Sequence, residues 1–153
     1  MQAQSPITSD DLIHIRKVPT WYTKDADYTS YKKRNNVTNA TDTIYNAIVR
    51  RGKPALQELK NLLSSQVLSI VPNTCTEGYF TVGQLAFLLI HDIEHIPYAV
   101  VTRRQWCKDS ECGWLPSGFF AYIESEGIEF QKKYTAYLAS KERKKYLKDN
   151  PRK

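Results

Sequence analysis

The sequence predicts a mainly α-helical fold, a single compact helical domain, and three observations predict it. Apolar residues recur at helical spacing in four separate stretches. Ser, Thr, Asp, Pro and Gly residues stand where helices over those stretches would begin and end. The chain is also long enough for one core: at 153 residues, folding buries roughly two-thirds of the surface an unfolded chain exposes. A hydrophobic share of 41%, with ten Tyr, five Phe and three Trp, is that of a globular chain rather than a disordered one. The expected layout is an irregular N-terminal arm over 1–38, a helical core domain over 39–140 and a basic C-terminal tail over 141–153. One or two short strands are the only β-structure expected.

Within the arm, Leu12–Ile15 reads as a short strand stopped by Pro19, and the aromatic, polar run from Thr20 to Asn36 reads as loop. Regular structure begins near Asn39. Thr41 or Asp42 is placed to cap a helix carrying Ile44, Tyr45 and Ile48, and Gly52 closes it. Pro54 opens the next helix, whose Leu56, Leu59, Leu62 and Leu63 form one apolar stripe. "QVLSIVPNTC" reads as a strand or extended segment. Thr81 caps the most apolar helix, "VGQLAFLLIHDIEHI", which Pro97 terminates because proline disfavours helical angles in the residue before it. "PYAVVTRRQW" reads as a strand and "KDSECGWLPSG" as a loop. A short helix at Phe119–Glu124, a break at Gly127 and a long basic helix from Ile128 to Asp149 complete the chain, with Phe130, Tyr134, Tyr137 and Leu138 on its apolar stripe.

Charge is distributed unevenly. The formal net charge is +6. Seven Lys and Arg lie from Lys141 to Lys153, against only Glu142 and Asp149. No apolar run approaches the roughly 20 residues that span a bilayer; "LAFLLI" is stopped by His91 and Asp92. Without a signal-peptide pattern, and with three cysteines, the chain reads as cytoplasmic, or nuclear through "KERKK", with reduced thiols. The sequons at Asn36 and Asn39 are then chance matches.

One stretch concentrates the reactive chemistry. "HDIEHIPYAVVTRRQWCKDSEC" holds two of the three histidines and two of the three cysteines. Imidazoles at His91 and His95 share a helix face, and Cys107 and Cys112 frame a four-residue loop. Four N and S ligands in that order suit a tetrahedral structural zinc site. Buried helix-end histidines and buried cysteines are the competing structural reading. In ligand order alone, the four residues resemble the His-His-Cys-Cys domain that opens retroviral integrases, which implies zinc bound at His91, His95, Cys107 and Cys112. "LAFLLIHDIEH" resembles the helix of HD-domain phosphohydrolases, which implies a divalent metal on His91 and Asp92. The upstream His and downstream Asp of that pattern have no counterpart here. "HDIEH" is similar to the His-x-x-Glu-His string of inverted zinc peptidases, which implies Glu94 as general base. No glycine-rich phosphate loop and no Ser-His pairing accompanies them.

Taken together, these features favour a small non-enzymatic basic binding protein over a phosphohydrolase. Such stand-alone chains are the kind of accessory protein that viruses and mobile elements encode. The expected partner is nucleic acid, DNA or RNA, with phosphates met by Arg103, Arg104, Lys141, Arg143, Lys144, Lys145 and Lys148. Tyr134, Tyr137 or Tyr146 would stack on bases. The alternative is a matrix-like or adaptor protein, a homo-oligomer whose tail meets an anionic membrane surface or a protein partner.

Overall fold

A computed structural model describes residues 5–24, 42–107 and 115–151. Among these residues are seven α-helices and one two-stranded antiparallel sheet, so the fold is mainly α-helical. The central element is α4, Val82–Ile93, reached after α1 (Ser9–Ile13), α2 (Thr43–Arg51), α3 (Pro54–Leu59) and the hairpin β1 (Leu68–Asn73) and β2 (Gly78–Thr81). Beyond it lie α5 (Tyr98–Thr102), α6 (Phe119–Leu138) and α7 (Lys141–Asp149).

Every residue of α4 from Val82 to His91 is buried, which is why this helix is apolar all round. Helices α1, α2, α3 and α6 and strand β2 all contact it. Its start is fixed by a capping box: Thr81 Oγ1 accepts from the Gln84 backbone and Gln84 Oε1 accepts from the Thr81 backbone, at 3.1 and 2.9 Å. Two glycines allow close approach of the turn after α3. A Cβ at Gly83 would strike the carbonyl oxygens of Leu63 and Ser65, and one at Gly127 would meet the Leu63 carbonyl oxygen and the Ser64 backbone at 3.1 Å.

Several predicted signals are seen in place. Asp42 caps α2, its side chain accepting from Tyr45 N at 2.9 Å, and Pro54 is the first residue of α3. "LSIVPN" is β1. Three expectations are corrected. Residues 9–13 are helical, with a capping box between Thr8 and Asp11, and Ile7, Leu12, Ile15, Val18, Trp21 and Tyr22 are buried, so 5–24 belong to the core and form no separate arm. The predicted strand after Pro97 is α5, because Val101 and Thr102 turn inward against α6. The long C-terminal helix is two helices. It is broken at Ser140, whose Oγ caps α7 by accepting from Arg143 N at 3.1 Å, while the break expected at Gly127 is seen as a kink at Glu126 inside α6.

Candidate functional site

The end of α4 is a polar knot inside the core. His91 is buried and stacks on Phe87, one turn back on the same helix face, at 5.5 Å between ring centroids. The chain turns out of helical geometry at Glu94, which brings Ile96 N to donate to His91 Nδ1 at 3.2 Å. Asp92, half-buried, points toward the N-terminal segment. Trp21 Nε1 and Tyr22 Oη donate to its Oδ1 at 3.2 and 2.6 Å, and Tyr45 Oη donates to Oδ2 at 2.6 Å. Glu94 is 4% exposed. Arg143 meets it as a fork, Nε to Oε1 at 2.8 Å and Nη2 to Oε2 at 2.9 Å, with Lys53 Nζ 3.9 Å away. Hydrogen bonding to Glu94 holds the Arg143 guanidinium above its usual pKa. His95 Nδ1 lies 2.7 Å from Tyr146 Oη, and the His91 and His95 rings are 4.6 Å apart.

These contacts place the residues that the metal and enzyme expectations name. His91 and His95 are brought together as the helical spacing predicts, but each has its Nδ1 engaged by a protein partner. Cys107 is an exposed free thiol, and Cys112 lies outside the described residues. Among the described residues no group of three or more His, Cys, Asp or Glu is placed to hold a metal ion. Cys75 is disulfide-bonded, which corrects the expectation of three reduced thiols. The Asp92 oxygens that the phosphohydrolase resemblance would give to a metal each accept from aromatic donors. The base that the peptidase resemblance implies, Glu94, is locked in an ion pair.

The basic candidates divide sharply. Arg103 closes α5 in the left-handed region at φ 58° and pairs with Glu142 at 2.7 Å. Arg104 pairs with Glu126 at 2.9 Å while its guanidinium lies 4.8 Å over the Tyr122 ring. Arg143 faces the core, as described. Lys141, Lys144, Lys145 and Lys148 are all exposed, and none has an ion-pair or hydrogen-bond partner among the described residues. Their positions i, i+3, i+4 and i+7 place them on one face of α7. The opposite face, Arg143, Tyr146 and Leu147, is half-buried.

The tyrosines expected to stack on bases are not available for it. Tyr134 and Tyr137 are 1% and 6% exposed, and Tyr146 is held against His95. The residues that sequence reasoning missed are the partners of the knot: Trp21, Tyr22 and Tyr45 for Asp92, and Arg143 for Glu94. An acidic residue at the end of a wholly apolar helix was the one available signal, since a buried carboxylate requires a partner. No helix among the described residues is long and apolar enough to cross a membrane. Comparison with protein-family models, curated proteins and solved structures finds no match.

Proposed function

We propose that this chain binds nucleic acid through its phosphates, without sequence preference, along the lysine stripe of α7. The observation that carries the reading is the set of four exposed lysines at i, i+3, i+4 and i+7, with their opposite face anchored to the core by Arg143 and Tyr146. A rise of 1.5 Å per residue spreads the stripe over roughly 10 Å, about three base steps of one strand. No aromatic ring, Asn or Gln stands on that face to read a base edge. Phosphate contact alone positions a protein and carries no sequence information. Arg103 and Arg104, each already paired with a glutamate, contribute field rather than direct contacts.

The test is binding to two duplexes of unrelated sequence across a salt series. Four phosphate contacts give a slope of log affinity against log salt of about −3 to −4, equal for both sequences. Replacing Lys141, Lys144, Lys145 and Lys148 by Ala should bring the slope close to zero at unchanged stability. Wild-type protein that binds neither duplex at low salt, or that binds anionic vesicles in their place, sinks the reading.

A further inference from the structure

The hairpin carries a surface that neither the knot nor the lysine stripe uses. Leu68, Ile70 and Pro72 alternate outward along β1 while Ser69, Val71 and Asn73 turn inward. Tyr79 lies directly across from Pro72 and so shares the outer face. Val67, at the foot of β1, is 53% exposed, Leu68 62%, Ile70 57% and Tyr79 54%. Ile128, 67% exposed, lies on α6 near Ser64, which precedes the hairpin. It stands three residues before Gln131, whose Oε1 accepts from Ser64 N at 3.1 Å, while the Glu124 backbone carbonyl accepts from Gln66 Nε2 at 3.1 Å. Those two bonds fix the foot of the hairpin beside Ile128. Of the six exposed large apolar side chains among the described residues, Leu68, Ile70 and Tyr79 thus lie on this face, Val67 at its foot and Ile128 on the α6 stretch tied to that foot, with Val100 elsewhere.

From this we infer that the outer face of the hairpin is a homodimer interface, two copies packing face to face about a two-fold axis. The charge pattern selects the occupant. No charged residue occurs from Asn61 to Thr76 in a chain of net charge +6. Copies that approach through α7 repel, whereas the strands that would meet here, Leu68–Asn73 and Gly78–Thr81, carry no charge. Two features favour the face over the strand edge. Pro72 has no N–H to give, and the register shifts between Leu68 and Pro72, so β1 offers a poor edge for strand addition. Leu68, Ile70, Pro72 and Tyr79 form an apolar patch on the order of 400 Å², within the range of the largest patch a monomer leaves open. With its polar rim, a two-fold contact there approaches the roughly 800 Å² per partner of a standard interface. Self-contact over one patch is also the commonest oligomer geometry.

Sedimentation equilibrium of the full chain, without nucleic acid, tests this independently of the lysine stripe. Between about 1 and 500 µM the mass should rise from 17.7 kDa to twice that value. It should do so equally in 0.15 and 1 M salt, because burial of apolar surface is not screened. Leu68→Lys with Ile70→Lys should weaken dimerisation at least tenfold with an unchanged circular dichroism spectrum, and Ile128→Glu gives an independent second disruption on another element. The inference is overturned by a monomer at every concentration, including one captured by neutral phosphatidylcholine vesicles. A dimer lost in 1 M salt, or one that survives both sets of substitutions, overturns it as well.

Discussion

The two faces of α7 carry the same kind of residue in opposite roles. On the inner face Arg143 is 21% exposed at its side chain and forked onto a carboxylate that is itself 5% exposed. On the outer face Lys141, Lys144, Lys145 and Lys148 stand in solvent with no acidic partner among the described residues. Nothing in the local composition of "KERKKYLKD" separates Arg143 from its neighbours. Helix phase does, and the phase is set by Ser140, whose cap starts a new helix and turns the third residue inward. The lesson is that a basic run overstates the number of cations it offers to a partner. Arginine is the residue suited to the inward position, since its planar fork satisfies both carboxylate oxygens at once.

The sharpest way to break this comparison is Arg143→Ala. It leaves the buried Glu94 carboxylate, among the described residues, with only the distant, exposed Lys53, and removing one partner of a buried pair costs about 3–5 kcal/mol. Substitution of any one stripe lysine by Ala should stay within about 0.5 kcal/mol, as surface changes do. Urea unfolding of the two kinds of variant compares them directly. Equal effects would mean that the two faces do not differ in the way described. Replacing Glu94 and Arg143 together by apolar residues of similar volume should recover most of the loss, because no unpaired charge is left behind.

A smaller effect sharpens the same contrast. Tyr146→Phe keeps the ring stacked near His95 but deletes the hydroxyl 2.7 Å from His95 Nδ1. Loss of one such bond costs about 1 kcal/mol. The melting temperature should fall while the salt slope of nucleic-acid binding stays as in the wild type, since Tyr146 faces away from the stripe. A change in slope without a change in melting would instead put Tyr146 on the binding side.

How legible all this was in the sequence depends on the range of the interactions. Caps are local, so Asp42, Pro54 and Thr81 could be read directly. Ser140 was equally local, yet it was overridden by a run of good helix formers on either side that made one long helix the simpler expectation. Helix α5 was read as a strand because Tyr98, Val100, Val101 and Thr102 favour strands by propensity, a weak preference that burial of Val101 and Thr102 overrides. The knot was visible as a stretch but not as a site. Its partners lie 47 to 71 residues away for Asp92 and 49 and 51 residues away for Glu94 and His95, and spacing within one stretch carries no information on them. The metal and hydrolase resemblances drew attention to this helix end through residues close together in sequence. What the described residues place there is a mutual satisfaction of buried polar groups.

Tyr137 offers the finest contrast, because it lies on the inner side yet gains nothing from its polar atom. The Tyr134 and Tyr137 hydroxyls are buried without a hydrogen-bond partner among the described residues, beside a knot in which Arg143 and Glu94 satisfy each other. Burial, reinforced by the nearby Glu94 carboxylate, pushes the Tyr137 phenol up to about 12, and Tyr134 is pushed higher for the same reasons. A raised folded-state value means that the neutral phenol is the form the fold prefers. The associated stability is complete below about pH 10, where the unfolded phenol is also neutral, and is lost as pH rises toward 12. Tyr137→Phe removes an unsatisfied hydroxyl and keeps the ring. At neutral pH it should therefore be neutral to stabilising by up to about 1 kcal/mol, the reverse in sign of Tyr146→Phe. Between pH 10 and 12 its urea midpoint should decline less steeply than that of the wild type, with Tyr134 supplying the remaining slope. A loss of more than 1 kcal/mol at neutral pH would reveal a partner for the hydroxyl and would place Tyr137 with the satisfied groups of the knot.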